Sequence, residues 1–195
     1  MEIRKGKIVL RTLSECQIQE CILREKNAML RESFTEMLKG IESNPRERIW
    51  YTLWNIELKD TNEVIGKVGF RGQPSEKGEV DIAIYVYERY RGNGYALETM
   101  NLICTWALKQ ERVNYVRACF EDGNEPYQKI LEYTGFSLVS KIGEYQIWEK
   151  AKKMDYRSIV LAVAVLLGFV VTESMFHNGM LGAWMGALCG VFITR

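Results

Sequence analysis

The stretch EVDIAIYVYERYRGNGYALETMNLICTWALKQ, residues 79–110, constrains this chain more than any other. Its first nine residues have the alternating character of a strand with one buried face. Beyond Gly94, apolar Leu97, Met100, Ile103, Cys104 and Ala107 form the stripe of an amphipathic helix. The period changes at RGNG, residues 91–94. A strand that ends in glycines and opens a helix aims several unpaired backbone N–H groups at one point. The helix dipole adds partial positive charge there, and glycines let a bulky anion approach the backbone. Phosphate or pyrophosphate is the natural ligand; an ordinary strand-to-helix turn is the plainer alternative. The turn matches neither the G-x-x-x-x-G-K-[ST] nor the G-x-G-x-x-G pattern, so it fits nucleotide-triphosphate and dinucleotide loops poorly.

The same reading lays out the rest of the body. KIVLRTL (7–13) predicts a strand. Ser14 has capping-box spacing to Gln17, and a helical region follows to about Lys39, with Gly40 as its stop. Its apolar positions include Ile18, Cys21, Ile22, Met29, Phe34 and Met37. RIWYTLWNIEL (48–58) and VIGKVGFRG (64–72) predict a hairpin around the KDTNEV turn. VNYVRACF (113–120) predicts a strand. GNEPYQKILEYTGF (123–136) predicts a helix with Asn124 as N-cap, Pro126 in its first turn and Gly135 at its stop. FSLVSKI and EYQIWEKA predict a last hairpin. The order β-α-β-β-β-α-β-α-β-β implies an α/β (α+β) fold, a mixed sheet of about seven strands flanked by helices.

Composition removes several function classes. The chain has 195 residues, enough for one full core and an appendage, and a net charge of +1, which gives no global signal for nucleic acid. The single histidine, His177, lies near the C-terminus, so histidine nucleophile schemes and histidine metal sites are absent from the body, and no metal is expected. The five cysteines form no C-x-x-C pair and are expected to be reduced core thiols in a cytosolic compartment.

With those residues in view, the sequence resembles a known family. RGNGYA fits the R/Q-x-x-G-x-G/A signature of the GNAT superfamily of N-acetyltransferases, with Arg91, Gly94 and Ala96 at the defining positions. DIAIYVYERYRGNGYALETM looks like the branch that acetylates ribosomal-protein N-termini, where R-G-x-G-Y-A-x-E is frequent. NEPYQKILEYTGF resembles that branch's second signature, N-x-x-S-x-x-x-L-E-x-x-G-F. The resemblance covers roughly residues 7–150 and implies a mostly antiparallel sheet, with acetyl-coenzyme A as donor and an amine as acceptor. It implies that the backbone of Arg91, Gly92, Asn93, Gly94, Tyr95 and Ala96 cradles the pyrophosphate. Ile84, Tyr85 and Val86 would pair with the pantetheine arm, in a gap where their strand splays from 113–120. Asn124 matches the asparagine that touches that arm.

Acetyl transfer by direct attack needs a base, an oxyanion donor and a proton for the leaving thiolate. Asp81 and Glu79, two apart on one strand face, are the base candidates. Asp81 is preferred because it matches an acidic position in many relatives; solvated strand-end charges are the alternative for both. The tyrosine that many relatives carry four residues before the G-F glycine falls on Leu131. Tyr127, where the branch often has serine, is the candidate for an acid or coenzyme contact, or else a packing residue. Trp50, Trp54 and Arg71 are candidates for the acceptor pocket, with core or surface roles as alternatives. The acceptor is expected to be a protein N-terminus or a small amine. A catalytically degenerate acetyl-coenzyme A sensor or membrane scaffold is the competing expectation.

From 158 to 194 Glu173 is the only charged residue. SIVLAVAVLLGFVVT (158–172) and the uncharged run 174–194 are expected to form a two-span transmembrane hairpin. The expected domains are 1–150 (acetyltransferase), 151–157 (basic linker) and 158–195 (hairpin). Lys150, Lys152, Lys153, Arg157 and Arg195 would put both hairpin ends in the cytoplasm. That makes a multi-pass cell-membrane protein with a cytoplasmic catalytic domain; a soluble hairpin buried in a dimer or against the sheet, in a cytoplasmic protein, is the alternative. Gly182, Gly186 and Gly190 offer a small-residue face for self-association.

Overall fold

In a computed structural model, which describes residues 1–153, the alternating stretches become one eight-stranded sheet. The strands are β1 (Glu2–Lys5), β2 (Ile8–Thr12), β3 (Leu53–Leu58), β4 (Val64–Phe70), β5 (Glu79–Val86), β6 (Tyr115–Glu121), β7 (Ser137–Ile142) and β8 (Tyr145–Ala151). Their order is β1-β2-β3-β4-β5-β6-β8-β7, and every neighbouring pair is antiparallel except β5 with β6. The mixed, mostly antiparallel class is as expected, with one strand more than the sequence reading. The extra strand, β1, is EIRK, whose three charges hide its period. A turn at Gly6 (φ +58°) folds it onto β2.

Among the described residues four α-helices pack on the sheet: α1 (Glu15–Arg24), α2 (Ala28–Ser43), α3 (Tyr95–Ala107) and α4 (Glu125–Thr134). The expected capping box is present: Ser14 N donates to Gln17 Oε1 (2.8 Å) and Gln17 N to Ser14 Oγ (3.3 Å). The single helical region of the sequence reading is two helices. The chain turns extended at Glu25, and Asn27 restarts it by accepting from Leu30 N at 3.2 Å. Gly40 does not stop α2, which runs on to Ser43. A Cβ there would collide with the Tyr51 ring, so this glycine serves close packing. Residues 48–52 are not strand either; Pro45 opens a 3₁₀ turn through Trp50.

The α3 stripe buries Met100, Ile103, Cys104 and Ala107 as expected, but also Thr99 and Leu102, while Leu97 is half-buried. Full burial of a side chain such as Met100 or Ile103 contributes about 1.5–3 kcal/mol. These residues join Ile8, Leu10, Ile56, Val80 and Ile82 in the main core. Trp50 and Trp54 belong to the same core, packed tilted and edge-on around Trp106 at centroid distances of 5.2 and 5.3 Å, and so line no acceptor pocket. On the other sheet face Leu13, Ile18, Ile41 and Leu53 form a second, smaller core under α1 and α2.

Gly66 sets the spacing of β4 and β5. A Cβ at this position would drive into the carbonyl oxygen of Tyr85 and come within 3.0 Å of Val86 Cα, both backbone atoms that cannot swing away. Gly66→Ala is therefore expected to cost about 2–3 kcal/mol, roughly 5–10 °C in Tm by thermal denaturation. A Tm within 2 °C of the parent would refute this spacing role.

Two further expectations are corrected. Of the cysteines among the described residues, only Cys104 is a buried core thiol; Cys16 and Cys119 are exposed and Cys21 is half-buried. The multi-pass membrane location does not stand: no helix among the described residues is long and apolar enough to cross a membrane. The hairpin expected at 158–195, with Gly182, Gly186 and Gly190, lies outside the described residues.

Candidate functional site

β5 and β6 pair over a short distance only. The parallel register links Glu79 to Tyr115, Val80 to Val116 and Asp81 to Arg117, and ends there. From Ile82 onward β5 keeps its antiparallel partner β4 but has no ladder partner on the β6 side. The gap therefore opens toward the C-terminal end of β5, where Ile84 is half-buried, Tyr85 exposed and Val86 buried.

The glycine turn sits at the open end of this gap. Gly92 (φ +80°) and Gly94 (φ +79°) are both left-handed, and Gly94 caps α3 with no side chain. The first turn bond of α3 runs from Glu98 N to Gly94 O at 3.0 Å. The N–H groups of residues 92–97 have no acceptor among the described residues. Nothing lies within 4 Å of where a Cβ on Gly92 or Gly94 would stand, so an anion has room to reach them. Arg91 folds the turn back on the strand: its Nε donates to Val86 O (3.1 Å), and its guanidinium lies 5.5 Å from the Tyr85 ring centre. Asn93 Nδ2 donates to the carbonyls of Tyr90 and Arg91, which fixes the loop. Tyr95 and Ala96 are half-buried in the first turn of α3. Arg89, the other arginine of the turn, pairs with Glu63 (3.1 Å) instead.

α4 brings a second helix N-terminus to the far side of the gap. Asn124 Oδ1 accepts from Tyr127 N at 3.2 Å and leaves its side-chain amide exposed. Tyr127 packs edge-on against Phe120 of β6, with centroids 5.0 Å apart. Burial, and then the neighbouring Cys104, push its phenol above the ordinary tyrosine value. Leu131 is one turn further along the same helix face and is fully buried. A tyrosine hydroxyl at that position would enter the main core.

Glu79 and Asp81 sit at the closed end of the gap. Both are held by Arg117: Nη1 to Glu79 Oε2 at 3.0 Å, and Nε to Asp81 Oδ1 at 3.5 Å, with Glu149 Oε1 at 3.7 Å. Asp81 is three residues from Ile84, about 10 Å along a strand. Its carboxylate is half-exposed, so it reaches the open end only through water.

The opposite sheet face holds a cavity of about 1400 Å³ between the strands and α1 and α2, floored by Lys67, Gly69, Ala83 and Tyr85. Ile84 lines it too, so it meets the gap along one strand. Arg71 points to this cavity, as the sequence reading allowed. Lys67, Asn55 and Arg117 were missed; the only sequence signal was a lone lysine inside the apolar VIGKVGF. Glu98 was also missed as a tether: its Oε1 accepts from Lys7 N (2.8 Å) and ties α3 to the β1–β2 turn.

The model of the acetyltransferase (GNAT) domain matches residues 13–137. The chain is 38% identical over 95 residues, 49% of its length, to an uncharacterised N-acetyltransferase, YjdG, of Bacillus subtilis, covering 56% of that protein. The chain thus spans about half the length of the curated relatives it matches. Among solved structures it resembles RimL, a ribosomal-protein alpha-N-acetyltransferase in complex with coenzyme A (TM-score 0.62, 12% identity, 80% of this chain and 100% of that one). It also resembles spermidine N-acetyltransferase of Vibrio cholerae (TM-score 0.59, 14% identity, 76% of this chain and 95% of that one). At these identities the likeness shows the fold alone.

Proposed function

The chain belongs to the GNAT acetyltransferase family, and from that premise we propose that residues 1–150 transfer the acetyl group of acetyl-coenzyme A to a primary amine. One observation carries the reading: the open N–H groups of residues 92–97 stand beside the strand edge of Ile84–Val86 that β6 has left. A pyrophosphate fits the first and an extended amide-bearing arm fits the second. Asn124 offers that arm its free side-chain amide. The coenzyme supplies an acetyl group activated as a thioester.

This chain's residues then do the rest. Strand amides near Ile84–Val86 polarise the acyl carbonyl. The amine nitrogen bonds to the acetyl carbon as the carbon–sulfur bond breaks. The amine proton leaves through water toward Asp81, with Arg117 holding that carboxylate in place. Tyr127 donates a hydrogen bond to the departing sulfur, which takes its proton from solvent. A protein N-terminus, as for RimL, or a small amine, as for the Vibrio enzyme, is the acceptor.

A second reading has one observation in its favour. Leu131 replaces the tyrosine of many relatives and is buried, so the domain would bind acetyl-coenzyme A as a sensor and not turn it over. Support for coenzyme binding is broader than support for turnover, because the glycine turn serves both readings. The test is calorimetric titration with acetyl-coenzyme A, then thiol release with a panel of primary amines. Binding with turnover of at least one amine is expected. Binding without turnover of any amine selects the sensor, and absence of binding refutes both. Asp81→Asn should lower kcat about 10²-fold if it relays the proton, while Glu79→Gln changes kcat less than threefold.

A further inference from the structure

The cavity on the α1–α2 side of the sheet has an uneven charge. Lys67 lies in the middle of β4, half-buried, directly across the ladder from Tyr85 and across from Asn55 on β3. Its Nζ donates to Asn55 Oδ1 (3.2 Å) and approaches Cys21 Sγ (3.6 Å). Among the described residues no carboxylate lies within ion-pair distance of Lys67, nor of Arg71, four residues on and just past the end of β4. Between these two cations the floor is flat, because Gly69 faces Ala83 across the ladder. The acids of the cavity are elsewhere. Glu20, paired with Arg24 at 3.7 Å, and Glu36 are exposed on the helices; Glu25 accepts from Asn27 N. Acids belong to the helical wall and the floor is basic.

An ammonium left half-buried with only neutral partners is costly unless a ligand anion completes it. Lys67 and Tyr85 are register partners, so Lys67 stands next to the strand where the acyl group is placed under the proposed function, on which this inference rests. A cation there also favours the neutral form of an incoming amine, which is the form that attacks. A polyamine brings a second ammonium, which Lys67 and Arg71 repel. From this arrangement we infer that Lys67 and Asn55 form an anion subsite of the acceptor pocket. The acceptor is a primary amine that carries a carboxylate close to the reacting nitrogen, either a free acidic amino acid or a peptide with an acidic residue beside its N-terminus.

The test measures acceptor binding to the full chain saturated with coenzyme A, by calorimetry, and turnover separately by thiol release. The probes are the peptides Ser-Asp-Ala-Ala and Ser-Lys-Ala-Ala, free glutamate, and spermidine. The acidic peptide or glutamate should bind at least tenfold more tightly than the lysine peptide and spermidine. The stronger of the two identifies the source of the carboxylate. Lys67→Met should remove that preference without changing affinity for coenzyme A, and Lys67→Arg should keep most of it. Equal or tighter binding of spermidine, no binding of either acidic probe, or an unchanged preference in Lys67→Met overturns the inference. If the acidic probe binds through Lys67 and no probe is acetylated, the subsite stands and the transferase reading fails. Should coenzyme A itself not bind, the same titrations on the free protein still decide the subsite.

Discussion

Gly94→Asp is expected to weaken acetyl-coenzyme A binding by 100-fold or more while lowering Tm by only a few degrees. Two effects add. The backbone at this position is left-handed (φ +79°), which costs an L-residue on the order of 1–2 kcal/mol. The new carboxylate stands where the N–H groups of residues 92–97 converge, and a like charge about 4 Å from a phosphate costs roughly 1–4 kcal/mol between bulk water and a protein surface. Together these sum to roughly 2–6 kcal/mol, most of which lies above the ~2.7 kcal/mol that corresponds to 100-fold. The fold tolerates the change because no atom lies within 4 Å of the new Cβ. Gly94→Ala, which keeps the backbone strain and adds no charge, should lose about tenfold. Gly143→Asp is the control: it is left-handed (φ +60°) and equally open, but lies in the β7–β8 turn. It should lower Tm similarly and leave coenzyme affinity within twofold. A Gly94→Asp protein that binds within threefold of the parent would disprove the phosphate role of the turn.

That the turn was visible in the sequence while the acceptor floor was not has a physical cause. The step from β5 to α3 is written locally, as a period of two giving way to the helical period across two glycines. The caps at Ser14, Asn124 and Gly135 are local too, and the structure has each of them. The break at residues 25–27 is made by Asn27 capping a second helix, but nothing in the periodicity of 14–39 demands it. β1 owes its place to pairing with β2, because its own charged sequence carries no strand period. The three-rung parallel pairing of β5 with β6 depends on residues more than thirty apart and cannot be read from either strand. The ion cluster at Arg117 follows from it: Glu79 and Asp81 share a face as their spacing predicts, but their common partner, Arg117, comes from β6, and Glu149 of β8 joins it there. Lys67 faces the cavity because the β4 register sets it opposite Tyr85, between the pairs Gly66–Val86 and Gly69–Ala83.

Tyr127→Phe separates the two readings of the catalytic end most sharply. The hydroxyl has no hydrogen-bond partner among the described residues, and the contact with Phe120 is made by the ring, so no hydrogen bond of the fold depends on it. Burial pushes the phenol above its ordinary value, so at neutral pH it is fully protonated and a weaker acid than free tyrosine. A thiol titrates near 8.5, so complete proton transfer from this phenol to a thiolate is uphill by about 2 kcal/mol or more. Tyr127 therefore acts as a hydrogen-bond donor to the leaving sulfur and not as its proton source. Loss of such a donor lowers kcat by about 10²-fold, with coenzyme affinity within threefold and Tm unchanged within 2 °C. The pH dependence follows with its sign. The folded state favours the protonated phenol, so its contribution is complete below pH ~10, the unfolded value, and is lost only as pH rises through the higher folded value. The parent kcat should then show no descending limb between pH 7 and 10 that Tyr127→Phe removes. If such a limb appears below pH 10 and disappears in the variant, Tyr127 is the proton donor. If kcat in Tyr127→Phe equals that of the parent, the residue is packing alone, and departure of the thiolate rests on the strand amides and solvent.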